Sequence, residues 1–326
     1  MIEDVKKLQG ARKIVKDCLK TKPEDKVLVL TDTEKKSIGE IIATVAYEIT
    51  DEVILAVIKP RKAHGEEPPD RLVSTMIDSD VVILPLSFSM THAKATEKAR
   101  HNGARIASMG DFNENMLMQG GMEADFLSIK GSVDKIASIF GNGERATVKT
   151  SKGTKLTMDI SGRRGQAEPG IAHKKGALCC PPNIEANISP VEGSTEGTIV
   201  VDGSIPHPSL NVISEPIKVK VEKGVITEIK ETNPQATELR KLLKEMDDPN
   251  IYNIAELGIG LNPKSNICGS MLEDEGVAGT CHIGIGDNTS FGGKVDAKSH
   301  IDLVLRDATV KVDGKTIQKD GELKLG

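Results

Sequence analysis

At 326 residues the chain is long enough for two domains with separate cores, and 38% hydrophobic with 28% charged residues describes a globular protein. A formal net charge of -5 with no long basic run excludes a surface built for nucleic acid or anionic membrane. Aromatic residues make up only 2%, with no Trp, so base-stacking platforms are excluded and the cores must be aliphatic.

The N-terminal segment MIEDVKKLQGARKIVKDCLK is amphipathic and highly charged, without the apolar run of a signal peptide. No segment approaches the ~18 apolar residues of a membrane span. The five scattered cysteines (Cys18, Cys179, Cys180, Cys268, Cys281) read as reduced thiols, so a cytoplasmic protein is expected. KVLVLT (26–31), EVILAVI (52–58), DVVILPL (80–86) and ARIASM (104–109) are apolar runs that predict buried strands. SIGEIIATVAYEI and THAKATEKARHNG, between them, have helical periodicity, and SVDKIASIF predicts a closing helix. Continuous apolar strands separated by helices predict a parallel sheet covered on both faces, with functional groups at the carboxyl ends of its strands. Ser87, Ser89, Thr91 and His92 follow the third strand and fit that location. His92 stands at a predicted helix start, as a substrate contact or as a surface or capping residue. Met90, Met109, Met116, Met118 and Met122 read as core or hinge packing.

Beyond residue 142 the pattern changes. RATVKTSKGTKLTMDI, EGTIVVDGSI, PIKVKVEKGVITEIKE and ATVKVDGKTIQKDGELKL are strand–turn–strand patterns with Lys-Gly or Asp-Gly corners. One helix interrupts them, PQATELRKLLKEM (234–246). The expected organisation is an α/β domain over residues 1–142 with a parallel sheet, followed by a β-rich, metal-binding catalytic domain with few helices over 143–326.

The last quarter carries the chemistry. Glu256, Glu275, His282, His300 and Asp302 sit among glycines, away from the charged helices. Residues two apart on a strand share a face, so His300 and Asp302 converge, with Ile301 in the core behind them. His282 lies in an alternating Thr280, His282, Gly284 series, and Cys281 faces the other way. Glu256 follows apolar Ile254 and precedes Leu257, where a carboxylate is costly to bury unless paired or bound to metal. Taken singly, a strand histidine is more often a hydrogen-bonded core residue than a ligand. Glu275, next to Glu273 and Asp274, reads equally as a ligand, a general base or part of a solvated acidic turn.

These segments resemble the aminopeptidase T family of metalloaminopeptidases. The motifs are Asn253-Ile254-Ala255-Glu256, Gly260-Leu261-Asn262-Pro263, Gly279-Thr280-Cys281-His282 and His300-Ile301-Asp302, preceded by Pro182-Asn183-Ile184-Glu185. The resemblance implies a centre of two divalent ions (Zn, Co or Mn) held by Glu185, Glu256, His282, His300 and Asp302, with Glu256 bridging. It implies a hydrolase that releases N-terminal amino acids from peptides or amides by a metal-activated water, with Glu185 or Glu275 as the catalytic proton shuttle. It further implies a homodimeric aminopeptidase, a metalloprotease acting on a small peptide or amino-acid-like substrate. The family tyrosine that follows the Gly-Thr-x-His element is missing; Thr289 is near its place, with Ser290 beside it. A short branch of the same superfamily is similar to 2,5-dihydroxypyridine dioxygenases. SFSMTHAKATEKARHNGARIASMGDFNENM carries that second resemblance, which implies aromatic ring cleavage with one Fe(II).

Overall fold

The computed structural model describes residues 2–325. The chain divides into two compact units: one runs to Ser128 and takes in Gly170–Pro182, the other takes Ile129–Pro169 and continues from Asn183.

In the first unit α1 (Ile2–Arg12) runs on into a π-helical turn, Lys13–Cys18. The four apolar runs form β1 (Val27–Asp32), β2 (Val53–Ile58), β3 (Val81–Leu86) and β4 (Arg105–Gly110). They pair in parallel in the order β2-β1-β3-β4, and a short strand, Leu178–Cys179, extends the sheet beyond β4. Helix α2 (Lys36–Tyr47) packs against β1 and β2, with Gly39 set directly on Thr31. Leu28, Leu30, Val82, Leu84 and Ile106 pack on the other face with Met76 of α3 (Asp70–Asp78) and Ala95 and Ala99 of α4 (Lys94–His101). The parallel sheet is therefore covered on both faces, as the unbroken apolar runs require. Met90, Met109, Met116 and Met122 are buried in this unit, in keeping with a packing role.

At the carboxyl ends of these strands the polar groups are mutually satisfied. Asp32 is buried and accepts from the backbone N–H of Glu34, Lys35 and Ser87. Ser89 and Ser108 both meet Thr91 Oγ1 at 2.7 Å. His92 is exposed in the turn before α4.

The second unit is antiparallel. Its eight-stranded sheet contains the expected hairpins, among them Arg145–Lys149 with Lys155–Asp159 and Ile217–Glu222 with Val225–Lys230. The predicted helix spans Pro234–Glu245, capped by the side chain of Asn233. A separate five-stranded sheet runs in the order His300–Leu305, Cys281–Gly286, Ile254–Gly260, Glu185–Ile188, Gln166–Glu168. The α/β class with a parallel sheet followed by β-rich antiparallel structure agrees with the sequence expectation. Among the described residues no helix is long and apolar enough to cross a membrane.

One buried ion pair ties the first unit together. Arg105 at the start of β4 pairs with Asp25 and donates to the carbonyl oxygens of Leu19 (2.7 Å) and Lys20 (2.8 Å), which follow the π-helical turn. Removing one partner strands the other charge and two carbonyls. Arg105→Met should cost about 3–5 kcal/mol, read as a fall in the urea midpoint of the unit's unfolding.

Candidate metal centre

Strand register decides which side chains meet. On the five-stranded sheet Gly260 lies opposite Glu185, and Gly258 lies opposite both Asn187 and His282. Gly284 lies opposite both Glu256 and Asp302, Gly286 opposite His300, and Glu168 opposite Glu185. Side chains opposite one another share a face. Glu168, Glu185, Glu256, His282, His300 and Asp302 therefore stand on one face, and Ala186, Leu257, Ile259, Cys281, Ile283, Ile301 and Leu303 are buried on the other. Cys281 faces away from the cluster, as alternation requires.

Two glycines make room for the imidazoles. A Cβ on Gly258 would stand 1.9 Å from His282 Nε2. A Cβ on Gly284 would stand 2.6 Å from His300 Nε2 and 2.8 Å from Glu256 Cβ. The rings lie over bare backbone that any larger residue would fill.

Glu256 is the hub. Its Oε1 is 3.7 Å from His282 Nε2 and its Oε2 is 3.1 Å from His300 Nε2. His282 Nε2 also lies 3.2 Å from Glu185 Oε2, and His300 Nε2 lies 3.3 Å from Asp302 Oδ1. Glu185, Glu256 and His282 offer ligand atoms within 4.8 Å of one another, as do Glu256, His300 and Asp302. Each group can hold a metal ion. Glu185 Oε2 and Glu256 Oε1 are enclosed and make no hydrogen bond. Buried polar atoms are rarely left in that condition, so this donor set fits a cation. His300 Nδ1 donates to the carbonyl oxygen of Asp287 at 2.7 Å, which leaves Nε2 of the neutral ring as the donor atom.

The electrostatics show the same crowding. Burial opposes the charged form of both imidazoles, yet Glu185 and Glu256 raise His282, and Asp302 and Glu256 raise His300, well above the ordinary histidine value. Burial would also raise Asp302, but His300 and His282 hold it below the usual carboxylate range. Glu275 rises well above the ordinary value through burial and then the charge of Asp302, with which it shares a hydrogen bond.

Glu275 therefore joins the cluster through Asp302. Its neighbours do not form the solvated acidic turn that was one reading of the sequence. Glu273 and Asp274 are buried in a short helix, Met271–Asp274, and Asp274 accepts the backbone N–H of Cys268 and Gly269. Thr289 spends its hydroxyl on Asp287 at 2.9 Å, away from the cluster, and Phe291 is the aromatic residue that reaches His300.

Glu168 was missed by sequence reasoning. Burial and the charges of Glu185 and Glu256 push its carboxyl up to about 8. Asn187, fully buried, donates to Glu185 Oε1 at 2.9 Å and to Glu168 Oε1 at 3.4 Å. Glu168 lies on a strand of three residues that carries no periodicity, so only its pairing with Glu185 reveals it.

Gly258→Ala should leave the circular dichroism spectrum intact and weaken divalent-metal binding at least about tenfold, measured by titration calorimetry, because His282 must swing away. Protons and metal compete for this face. The raised groups bind protons in the folded metal-free protein that the unfolded chain has already released, so its stability falls as pH rises through their folded values. Metal affinity moves the other way, rising about tenfold per pH unit for each proton displaced. The gain in melting temperature on adding metal should therefore grow from pH 6 to pH 8, and a flat or inverted dependence would contradict the proton competition.

Residues 10–325 match the sequence model of a family described as 2,5-dihydroxypyridine 5,6-dioxygenase, NicX. A 2,5-dihydroxypyridine 5,6-dioxygenase of Pseudomonas putida KT2440 is 34% identical over 144 residues, 41% of this chain and 41% of that protein, so the match spans about two fifths of the relative's length. The structure of 2,5-dihydroxypyridine dioxygenase from the same organism is similar with a TM-score of 0.84 at 20% identity, covering 98% of this chain and 97% of that one. Wild-type AmpT from Thermus thermophilus is similar with a TM-score of 0.69 at 15% identity, covering 98% and 99%. These two likenesses show a shared fold. The expectation of an aminopeptidase, a metalloprotease and hydrolase, is corrected by the family match, which is to oxygenases. Beside His300 stands a phenyl ring, and the nearby Thr289 hydroxyl is engaged by Asp287, so neither supplies the hydroxyl of the missing family tyrosine. The chain belongs to the NicX family of 2,5-dihydroxypyridine 5,6-dioxygenases.

Proposed function

We propose that this chain is an iron(II)-dependent dioxygenase that opens the ring of a dihydroxylated pyridine, with both atoms of O2 entering the product. Family membership from residue 10 to 325 carries the reading. The donor set supports it, because two imidazoles face one carboxylate, Glu256, with Asp302 alongside. Two histidines and a carboxylate with open positions suit non-haem iron(II) in oxygenases. Iron(II) bound there would supply the one-electron chemistry that lets O2 react with a closed-shell aromatic ring.

The chain's own groups divide the remaining tasks. Glu256, His282, His300 and Asp302 are the proposed ligands. The carbonyl of Asp287 keeps the proton of His300 on Nδ1. One ion is enough for this chemistry, which leaves Glu185 Oε2 as an acceptor with no hydrogen bond of its own. That oxygen is the proposed base for a ring hydroxyl of the substrate, steadied through Oε1 by Asn187. Glu275, raised by burial and the charge of Asp302, is the proposed acid of the site. The apolar residues behind the sheet keep water from reaching the cluster from that side.

Protein loaded with ferrous iron under argon and then given air and 2,5-dihydroxypyridine should consume one O2 per ring lost, followed with an oxygen electrode and by ring absorbance. Glu256→Ala should lower that rate by at least about a hundredfold. No oxygen uptake across a panel of hydroxylated pyridines and benzenes would sink the reading.

A further inference from the structure

We infer that Phe291 is a positioning residue for His300, holding the imidazole in the orientation that a metal ligand needs. The inference rests on the reading of His300 as a ligand. The rings of Phe291 and His300 have centroids 4.9 Å apart and planes tilted by 34°. That separation falls within the range of attractive ring pairs. A phenyl group has no donor or acceptor, so it restrains the imidazole without competing for Nε2.

The restraint is useful only if Phe291 is itself fixed, and several separate contacts fix it. Phe291 ends a 3₁₀ turn, Thr289–Phe291, closed by Gly292 at a φ of +88°. Before the turn, buried Asn288 donates to Ser189 Oγ and Glu192 Oε1, both at 3.1 Å, and accepts from the N–H of Val295 at 2.8 Å. From the side, Arg163 donates to the carbonyl of Gly292 at 2.6 Å and Gln166 to that of Ser290 at 3.3 Å.

Asp287 closes the arrangement. Its side chain accepts from the N–H and the hydroxyl of Thr289, at 3.1 and 2.9 Å, so it sets the start of the turn. Its carbonyl accepts the Nδ1 proton of His300. One short segment therefore grips the imidazole twice, at an edge through the Asp287 carbonyl and on a face through Phe291. With both contacts made, rotation about the ring's last torsion is blocked and Nε2 stays on Glu256 and Asp302.

Cobalt(II) reports this without any substrate, because its visible d–d bands follow the ligand geometry. Phe291→Leu keeps the bulk of the site apolar and removes the flat ring; Phe291→Tyr keeps the ring. Phe291→Leu should bind cobalt(II) about tenfold more weakly with an altered visible spectrum. Phe291→Tyr should stay within about twofold of the parent with the parental bands. The metal-free forms of both should melt with the parent. Parental cobalt affinity and spectrum in Phe291→Leu would overturn the inference, as would an equal loss in Phe291→Tyr or a fall in the metal-free melting temperature that accounts for the loss. A parent protein that binds no cobalt(II) would overturn both this inference and the metal site, whereas the other adverse outcomes leave the site standing.

Discussion

Too much negative charge on one enclosed face is the constraint around which the second unit is organised. Glu168, Glu185, Glu256 and Asp302 share that face, and Glu275 reaches it through a hydrogen bond to Asp302. Carboxylates this close cannot all be ionised in a medium that screens poorly, so some must hold protons or the face must hold a cation. The carboxylates favour the protonated form of the two imidazoles, which is why both are raised despite burial. A cluster of this composition adds little to stability, since apolar residues of the same volume would serve a fold as well or better. Its presence is explained by what it binds.

The rest of the sheet accommodates that cluster. Gly258 and Gly284 are placed where a side chain would collide with an imidazole, and most of the β-branched and aliphatic residues of the sheet lie on the reverse face. The glycines cost the strands packing and entropy, so the apolar face must supply the cohesion of both. Ile259, Ile283 and Leu303 on neighbouring strands are fully buried there. Strict alternation is what lets one sheet be a hydrophobic core on one side and a charged site on the other.

Much of this was legible in the sequence because period-2 alternation is a local signal. His300-Ile301-Asp302 places two donors on one face by itself, and the apolar runs of the first unit locate its strands almost to the residue. What escaped depends on pairing between distant segments. Glu168 is a polar residue on a three-residue strand, and it becomes part of the site only through its register with Glu185. Leu178–Cys179 likewise has no pattern of its own and is recognised only by its pairing with β4. Glu273 and Asp274 looked like a charged loop because composition does not record that Asp274 has two backbone N–H groups to accept. The reaction class was misjudged for a related reason. Ligand motifs record which atoms can bind a cation, whereas the choice between hydrolysis and oxygenation depends on the groups around it.

Fold likeness does not make that choice either, since both an oxygenase and AmpT share the architecture over nearly the whole chain. The difference has to lie in the site, and here the two histidines are not equivalent. His300 has its second nitrogen committed to a backbone carbonyl and one face against Phe291. His282 has Nδ1 without a hydrogen bond, and its restraint comes from burial over Gly258 and from the carboxylates. A ligand oriented by its outer partner binds a cation more tightly than one that is not. The two sides of Glu256 therefore offer unequal positions, with the stronger one at His300 and Asp302. That inequality between the two imidazoles follows from the register and hydrogen bonds of this sheet.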